Sequence, residues 1–225
     1  MAASAGLLRP SIASFRPSPG APVDHPSADK IIDLYQRNSD YWDDIRGKQL
    51  FELPWLERFL NLQPAVADIL DIGCGSGKPI AQFFVEQGHQ VTGVDSSEAM
   101  IALCRQRFPA HHWQVADMRQ LALGQKYDGI LAWDSFFHLT RADQRGMFAL
   151  FEQHAKPNAA LMFTSGPANG EAIGEFNGET LYHASLAPEE YRQLLADHGF
   201  SLVKNVVEDP ECGGHTIWLA QAGES

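Results

Sequence analysis

The chain has 225 residues, 44% of them apolar and 20% charged, and a formal net charge of −11. That length supports one α/β domain with a substantial core, and an acidic chain without any run of Lys and Arg argues against a nucleic-acid partner. Three scattered cysteines, Cys74, Cys104 and Cys212, exclude a disulfide framework and a zinc site and point to a reducing, cytoplasmic setting; no stretch reaches the length of a membrane span.

Residues 1–28 are rich in Ala, Ser and Pro and carry no periodic apolar face, which predicts a disordered tail. Arg9 and Arg16 precede the first acid, Asp24, so an organelle transit peptide is the competing reading. Residues 29–64 form a helical segment: Ile31, Ile32, Leu34 and Tyr35 have helical spacing, as do Trp55, Leu56, Phe59 and Leu60. Residues 65–225 then read as alternating strands and helices.

The organising stretch runs from Asp68 to Asp95. Ile69, Leu70 and Ile72 form a short strand that ends in Gly73, Gly75 and Gly77. A helix through Ile80, Phe83, Phe84 and Val85 stops at Gly88, and a second strand, Val91 to Val94, ends in Asp95. This is a nucleotide-binding βαβ unit, with glycines that let backbone approach a ligand and Asp95 placed to accept hydrogen bonds from a ribose diol. The spacing is G-x-G-x-G after Asp71, neither the dinucleotide G-x-G-x-x-G nor a Walker A loop.

Further strands are predicted at His111–Val115, ending before Asp117 and Met118, at Tyr127–Asp134, and at Ala159–Thr164, with a helix over Asp143–His154. Residues 165–187 are glycine-rich without a clear period and read as a long lid or substrate loop. A helix from Pro188 to Gly199 and two β-rich segments, Phe200–Val207 and His215–Ala220, complete the chain.

DIGCGSG followed by GVDSS, with Asp117 after the third strand and a terminal pair of strands, resembles class I S-adenosylmethionine-dependent methyltransferases over about residues 45 to 220. The resemblance implies a Rossmann-like, seven-stranded, mostly parallel sheet in order 3-2-1-4-5-7-6, with helices on both faces and an antiparallel C-terminal hairpin. It implies S-adenosyl-L-methionine as cofactor, S-adenosyl-L-homocysteine as product, and a lid formed by the N-terminal helices. Carried onto this chain, the cofactor contacts are Tyr41, Arg46, Asp71, Gly73, Cys74, Gly75, Gly77, Asp95, Ser96, Met100, Asp117, Met118 and Trp133, with Arg46 on the methionyl carboxylate and Asp117 on the adenine amino group.

The sulfonium activates the methyl group, so the protein must supply alignment and, for a hydroxyl acceptor, a base. His138, His183 and His215 are the candidates, with Asp134 to orient one of them, and Phe136, Phe137 and Trp133 are candidate pocket walls. No Asn/Asp-Pro-Pro-Tyr/Phe sequence follows the fourth strand and no metal-binding acid cluster is apparent. The leading expectation is methyl transfer to a small molecule. Methylation of a protein or RNA, and S-adenosylmethionine binding without turnover, are the alternatives. The sequence leaves the acceptor, the atom modified and the oligomeric state open.

Overall fold

A computed structural model describes residues 25–46 and 49–224, so most of the expected tail, residues 1–24, lies outside the described residues. The sheet is built from β1 (Asp68–Ile72), β2 (Gln90–Asp95), β3 (His112–Val115), β4 (Tyr127–Ala132), β5 (Ala155–Ser165), β8 (Phe200–Asp209) and β9 (His215–Ala222), in the order β3-β2-β1-β4-β5-β9-β8. β1 pairs in parallel with β2 and β4, and β9 runs antiparallel to both β5 and β8. This is the expected order, with the strand numbers raised by two because a separate two-stranded sheet, β6 (Gly170–Phe176) and β7 (Glu179–Ser185), precedes the last pair.

Alternation along the strands divides the core in two. Leu70, Ile72, Ile130, Leu161, Phe163 and Trp218 face α6 (Arg141–His154) and α7 (Pro188–Asp197), where Phe148, Phe151 and Tyr191 meet them. Phe163 and Trp218 stack with centroids 5.9 Å apart and planes only 7° from parallel. Ile69, Leu131, Met162 and Ile217 face the other way, against α3 (Leu53–Leu60), α4 (Ile80–Glu86) and α5 (Glu98–Arg107). Helix starts follow local chemistry: Ser97 Oγ accepts from Met100 N at 3.2 Å, and Thr140 Oγ1 from Asp143 N at 3.1 Å.

Of the N-terminal helical segment, α3 is core, with Trp55, Leu56 and Phe59 buried against the sheet. By contrast, α1 (Ile31–Arg37) and α2 (Ser39–Arg46) pack on the β6–β7 hairpin, in a small cluster around Leu34, Phe176 and Leu181. The residues expected as an aperiodic loop at 165–187 are therefore largely an antiparallel hairpin. Its turn, Asn177-Gly178, has positive φ at both residues, 51° and 78°, the geometry that Asn-Gly adopts in two-residue hairpins.

Candidate active site

A cleft opens at the carboxyl ends of β1, β2, β3 and β4, beneath α1 and α2. Its floor is the turn after β1. Gly73 N and Cys74 N both donate to Val94 O, at 2.7 and 3.1 Å, which folds the turn back over β2. A Cβ on Gly73, whose φ is +75°, would lie 2.2 Å from Ser135 Cβ, so only glycine fits there. Ser135 is held in turn by its hydroxyl, which donates to Ile72 O at 2.7 Å. Above Gly75 lies the indole of Trp42, 3.1 Å from where a Cβ would stand.

Asp95 accepts from Gly75 N at 2.9 Å and from Ser97 N at 2.8 Å, so one carboxylate ties the glycine turn to the start of α5. Burial raises its carboxyl above the usual range despite those backbone donors. Burial, with the Asp95 charge beside it, pushes Asp71 up to about 7. Further along the cleft, Asp117 caps a short turn and is gripped by Arg119: Nε donates to Oδ1 at 2.9 Å and Nη2 to Oδ2 at 2.6 Å. Arg119 also reaches Asp143 on α6 at 3.5 Å. These bonds hold the Asp117 carboxyl below its usual range.

At the other end stands Asp134, in a left-handed backbone conformation at φ 50° that its N–H bond to Thr164 Oγ1, 2.9 Å, helps to fix. Its Oδ1 is 2.7 Å from His215 Nε2, while His215 Nδ1 is 2.7 Å from Cys212 O. A carbonyl and a carboxylate both accept, so both ring nitrogens donate and His215 is an imidazolium. Burial alone would lower its pKa; Asp134 overrides this and raises it. Burial would likewise raise the Asp134 carboxyl, and the His215 charge overcomes that and keeps it low. The His215 ring lies between Phe51 and Trp133, at centroid distances of 5.7 and 5.6 Å.

His138 is arranged differently. Its Nδ1 is 2.8 Å from Tyr182 O and so carries the proton; its Nε2 therefore accepts the Tyr35 hydroxyl at 2.9 Å. Burial lowers this imidazole to about 4. His183, whose ring centroid is 4.8 Å from that of His138, is lowered to about 3 by burial and then by its neighbour. Tyr35 is raised by burial and by Asp134. At neutral pH these three groups are uncharged.

A family model described as a methyltransferase domain matches residues 69–158. The chain is 26% identical over 208 residues to O-methyltransferase cnsE of Penicillium expansum, across 80% of this chain and 75% of that protein. It is 29% identical over 101 residues to a dTDP-3-amino-3,4,6-trideoxy-alpha-D-glucopyranose N,N-dimethyltransferase of Streptomyces venezuelae, across 44% of this chain and 42% of that one. Among solved structures, the 1,6-didemethyltoxoflavin-N1-methyltransferase of Burkholderia thailandensis superposes with a TM-score of 0.72 at 21% identity, over 94% of this chain and 95% of its own. The chain is a class I S-adenosylmethionine-dependent methyltransferase.

The cleft of this methyltransferase suits a cationic donor bearing a sulfonium and an ammonium. Among the described residues, Asp29, Asp95, Asp117, Asp134 and Asp143 line it against the one guanidinium of Arg119, and the glycine turn leaves room for close backbone approach. Of the residues singled out in the sequence, Gly73, Gly75, Asp95, Ser96, Met100, Asp117, Met118, Asp134 and His138 line the cleft. Asp71 lies behind it, 4% exposed, and Gly77 faces Phe108 and Cys104. Cys74 points its thiol toward Gly75 O at 3.7 Å. Tyr41 packs on Phe176, with ring centroids 5.5 Å apart, and Arg46 is paired with the fully buried Glu52, its guanidinium over the Phe51 ring. His183 and Trp133 are buried beside the His138 and Asp134 groups respectively, each with a ring nitrogen that has no hydrogen-bond partner.

Tyr35 escaped the sequence reading because it sits on an apolar helical stripe, where a tyrosine passes for packing. The available signal was its hydroxyl, which needs a partner once the ring is buried. Among the described residues, no group of three or more His, Cys, Asp and Glu side chains is arranged to hold a metal ion, and no helix is long and apolar enough to cross a membrane.

Proposed function

We propose that this methyltransferase acts on a small-molecule acceptor, with the donor laid along the cleft from Asp134 to Asp117. In this reading Gly73 and Gly75 hold the methionyl end, with the Asp71 charge acting on its ammonium from behind the turn, Asp95 accepts from the ribose diol, Asp117 accepts from the adenine amino group, and Met100 and Met118 pack on the ring. S-Adenosylmethionine, when bound, supplies an electrophilic methyl group. The chain itself binds, aligns and excludes water.

The observation that carries the acceptor side is the roof. Tyr35 and Trp42 from α1 and α2 cover the cleft, and Tyr35 is bonded to His138 at its floor. α2 is further pinned to α5 by Asp43 and Arg107, at 2.5 and 2.7 Å. A roofed, acidic cleft favours a compact acceptor over a protein or RNA, and two of the relatives named above, the dTDP-amino-sugar N,N-dimethyltransferase and the 1,6-didemethyltoxoflavin-N1-methyltransferase, take small molecules by name. Calorimetric titration with S-adenosylhomocysteine tests the donor assignment. The wild type is expected to bind, and Asp95→Ala to bind at least tenfold more weakly, a larger loss than the cost to the fold of the two backbone bonds that Asp95 accepts. Absence of binding to the wild type refutes the reading.

A further inference from the structure

Of the three histidines that the sequence offers as proton acceptors, two are already engaged and the third, His183, has an unpartnered ring nitrogen but is shut away from solvent. His215 donates through both ring nitrogens, to Asp134 and to Cys212 O, and has no lone pair left. The one lone pair of His138 receives the Tyr35 hydroxyl. His183 is 6% exposed and lies against His138, so a second proton there would be buried beside another imidazole. What remains is the Asp134 carboxylate. One of its oxygens is held by His215 at 2.7 Å, its backbone is fixed by Thr164, and the residue lines the cleft beside Tyr35, Ser135 and His138.

The described cations near this end do not offer the cleft a free partner. Arg46 pairs with Glu52, and the imidazolium of His215 serves Asp134. Arg141 lies 3.8 Å from Glu171 with its buried Nε unpartnered, but it is not among the residues that line the cleft, and Arg119, at the opposite end, is shared by Asp117 and Asp143. Among the described residues that line the acceptor end, none is a cation left to receive a phosphate or carboxylate, and a buried anion without a partner is strongly disfavoured. The neighbourhood is instead aromatic: Tyr35 and His138 line the cleft, with Phe137 and His183 packed against His138, and Trp133 packs on the His215 that holds Asp134.

We infer that Asp134 is the proton acceptor of the methyl transfer, that His215 is the positioning residue that keeps it ionised and aimed, and that the acceptor is an uncharged aromatic hydroxyl or amine. This rests on the donor assignment above. The acceptor lone pair forms the bond to the methyl carbon, the carbon–sulfur bond breaks with its electron pair left on sulfur, and the acceptor proton passes to Asp134 and then to water. A carboxylate of low basicity suffices, because methylation makes the departing O–H or N–H proton far more acidic than it was in the free acceptor.

The test uses the full chain saturated with S-adenosylhomocysteine and two matched pairs of probes, 4-methylphenol with 4-hydroxybenzoate and 4-methylaniline with 4-aminobenzoate, titrated by ligand-observed NMR. Binding of S-adenosylhomocysteine is established first by calorimetry, so a failed donor assignment shows there and not in the probes. The uncharged member of each pair is expected to bind at least tenfold more tightly than its carboxylated partner. In D134N, where Asn retains the left-handed backbone, that preference is expected to fall below threefold. In the ¹⁵N spectrum, His215 is expected to show two ring N–H groups at pH 7 in the wild type and one in D134N. Equal or tighter binding of the carboxylated probes overturns the inference. So does no binding of either uncharged probe, an unchanged preference in D134N, or a singly protonated His215 in the wild type.

Discussion

Asp71 offers a measurement in which stability and function pull apart. Burial and the neighbouring Asp95 move its carboxyl from 3.8 to about 7, a gap worth about 4 kcal/mol at 1.36 kcal/mol per pH unit. The folded pKa is the higher one, so the folded state holds its proton more tightly than the unfolded chain does. The contribution is fully present below pH 3.8 and is lost as pH rises through about 7. Asp71→Asn keeps the shape and removes the titration, and Asp95 is present in both proteins. Urea unfolding at pH 5 and pH 8.5 should show the wild type losing stability relative to the variant by about 3 kcal/mol, the share of that contribution lying between pH 5 and the folded pKa. S-Adenosylhomocysteine affinity should move the other way. A bound ammonium favours the ionised carboxylate, so wild-type binding should strengthen from pH 6 to pH 8 with proton release, and the variant should bind more weakly and without that dependence. Parallel stability profiles for the two proteins would refute the reasoning.

Gly73→Ala forces a side chain onto a φ of +75° and into Ser135; the backbone alone costs about 1–2 kcal/mol, and calorimetry should show at least a tenfold loss of S-adenosylhomocysteine affinity. Arg46→Ala strands Glu52, which is 0% exposed, and should lower unfolding stability by about 3–5 kcal/mol, most of it recovered in Arg46→Ala/Glu52→Gln. Tyr35→Phe removes the donor to His138 Nε2 and should cost about 1 kcal/mol in urea unfolding, with the His138 imidazole still neutral at pH 7 by NMR.

The half of the cleft formed by the glycine turn, Asp95 and Asp117 was legible in the sequence because its parts are local. One turn of three glycines, a strand ending in Asp95 and another ending at Asp117 each carry their own signal within a few residues, and the sheet order follows from such units once the terminal strands are recognised as a pair. The half around Asp134 and His138 is assembled from distant positions. His215 and Asp134 are 81 residues apart, and Tyr35 is 103 residues from His138, so no spacing rule links them. Only their hydrogen bonds decide which histidine is charged and which is not. The β6–β7 hairpin was hidden for another reason: Leu181 to Ser185 are all buried, so β7 lacks the polar–apolar alternation that marks a half-buried strand. Asn177-Gly178 was its one readable sign.

That hairpin forms a sheet of its own, joined to the seven-stranded ladder by chain connections and side-chain contacts rather than by strand pairing. Gln144 and Tyr191 bridge it to α6 and α7, through Ala184 O at 2.9 Å and Leu186 N at 3.0 Å. Lengthening, shortening or exchanging it would leave every rung between β5 and β9 intact. In a lineage of such enzymes, this makes the hairpin an exchangeable cassette: the chemistry of the donor can stay fixed while the partner it meets is changed by editing about twenty residues between two unaltered scaffold strands.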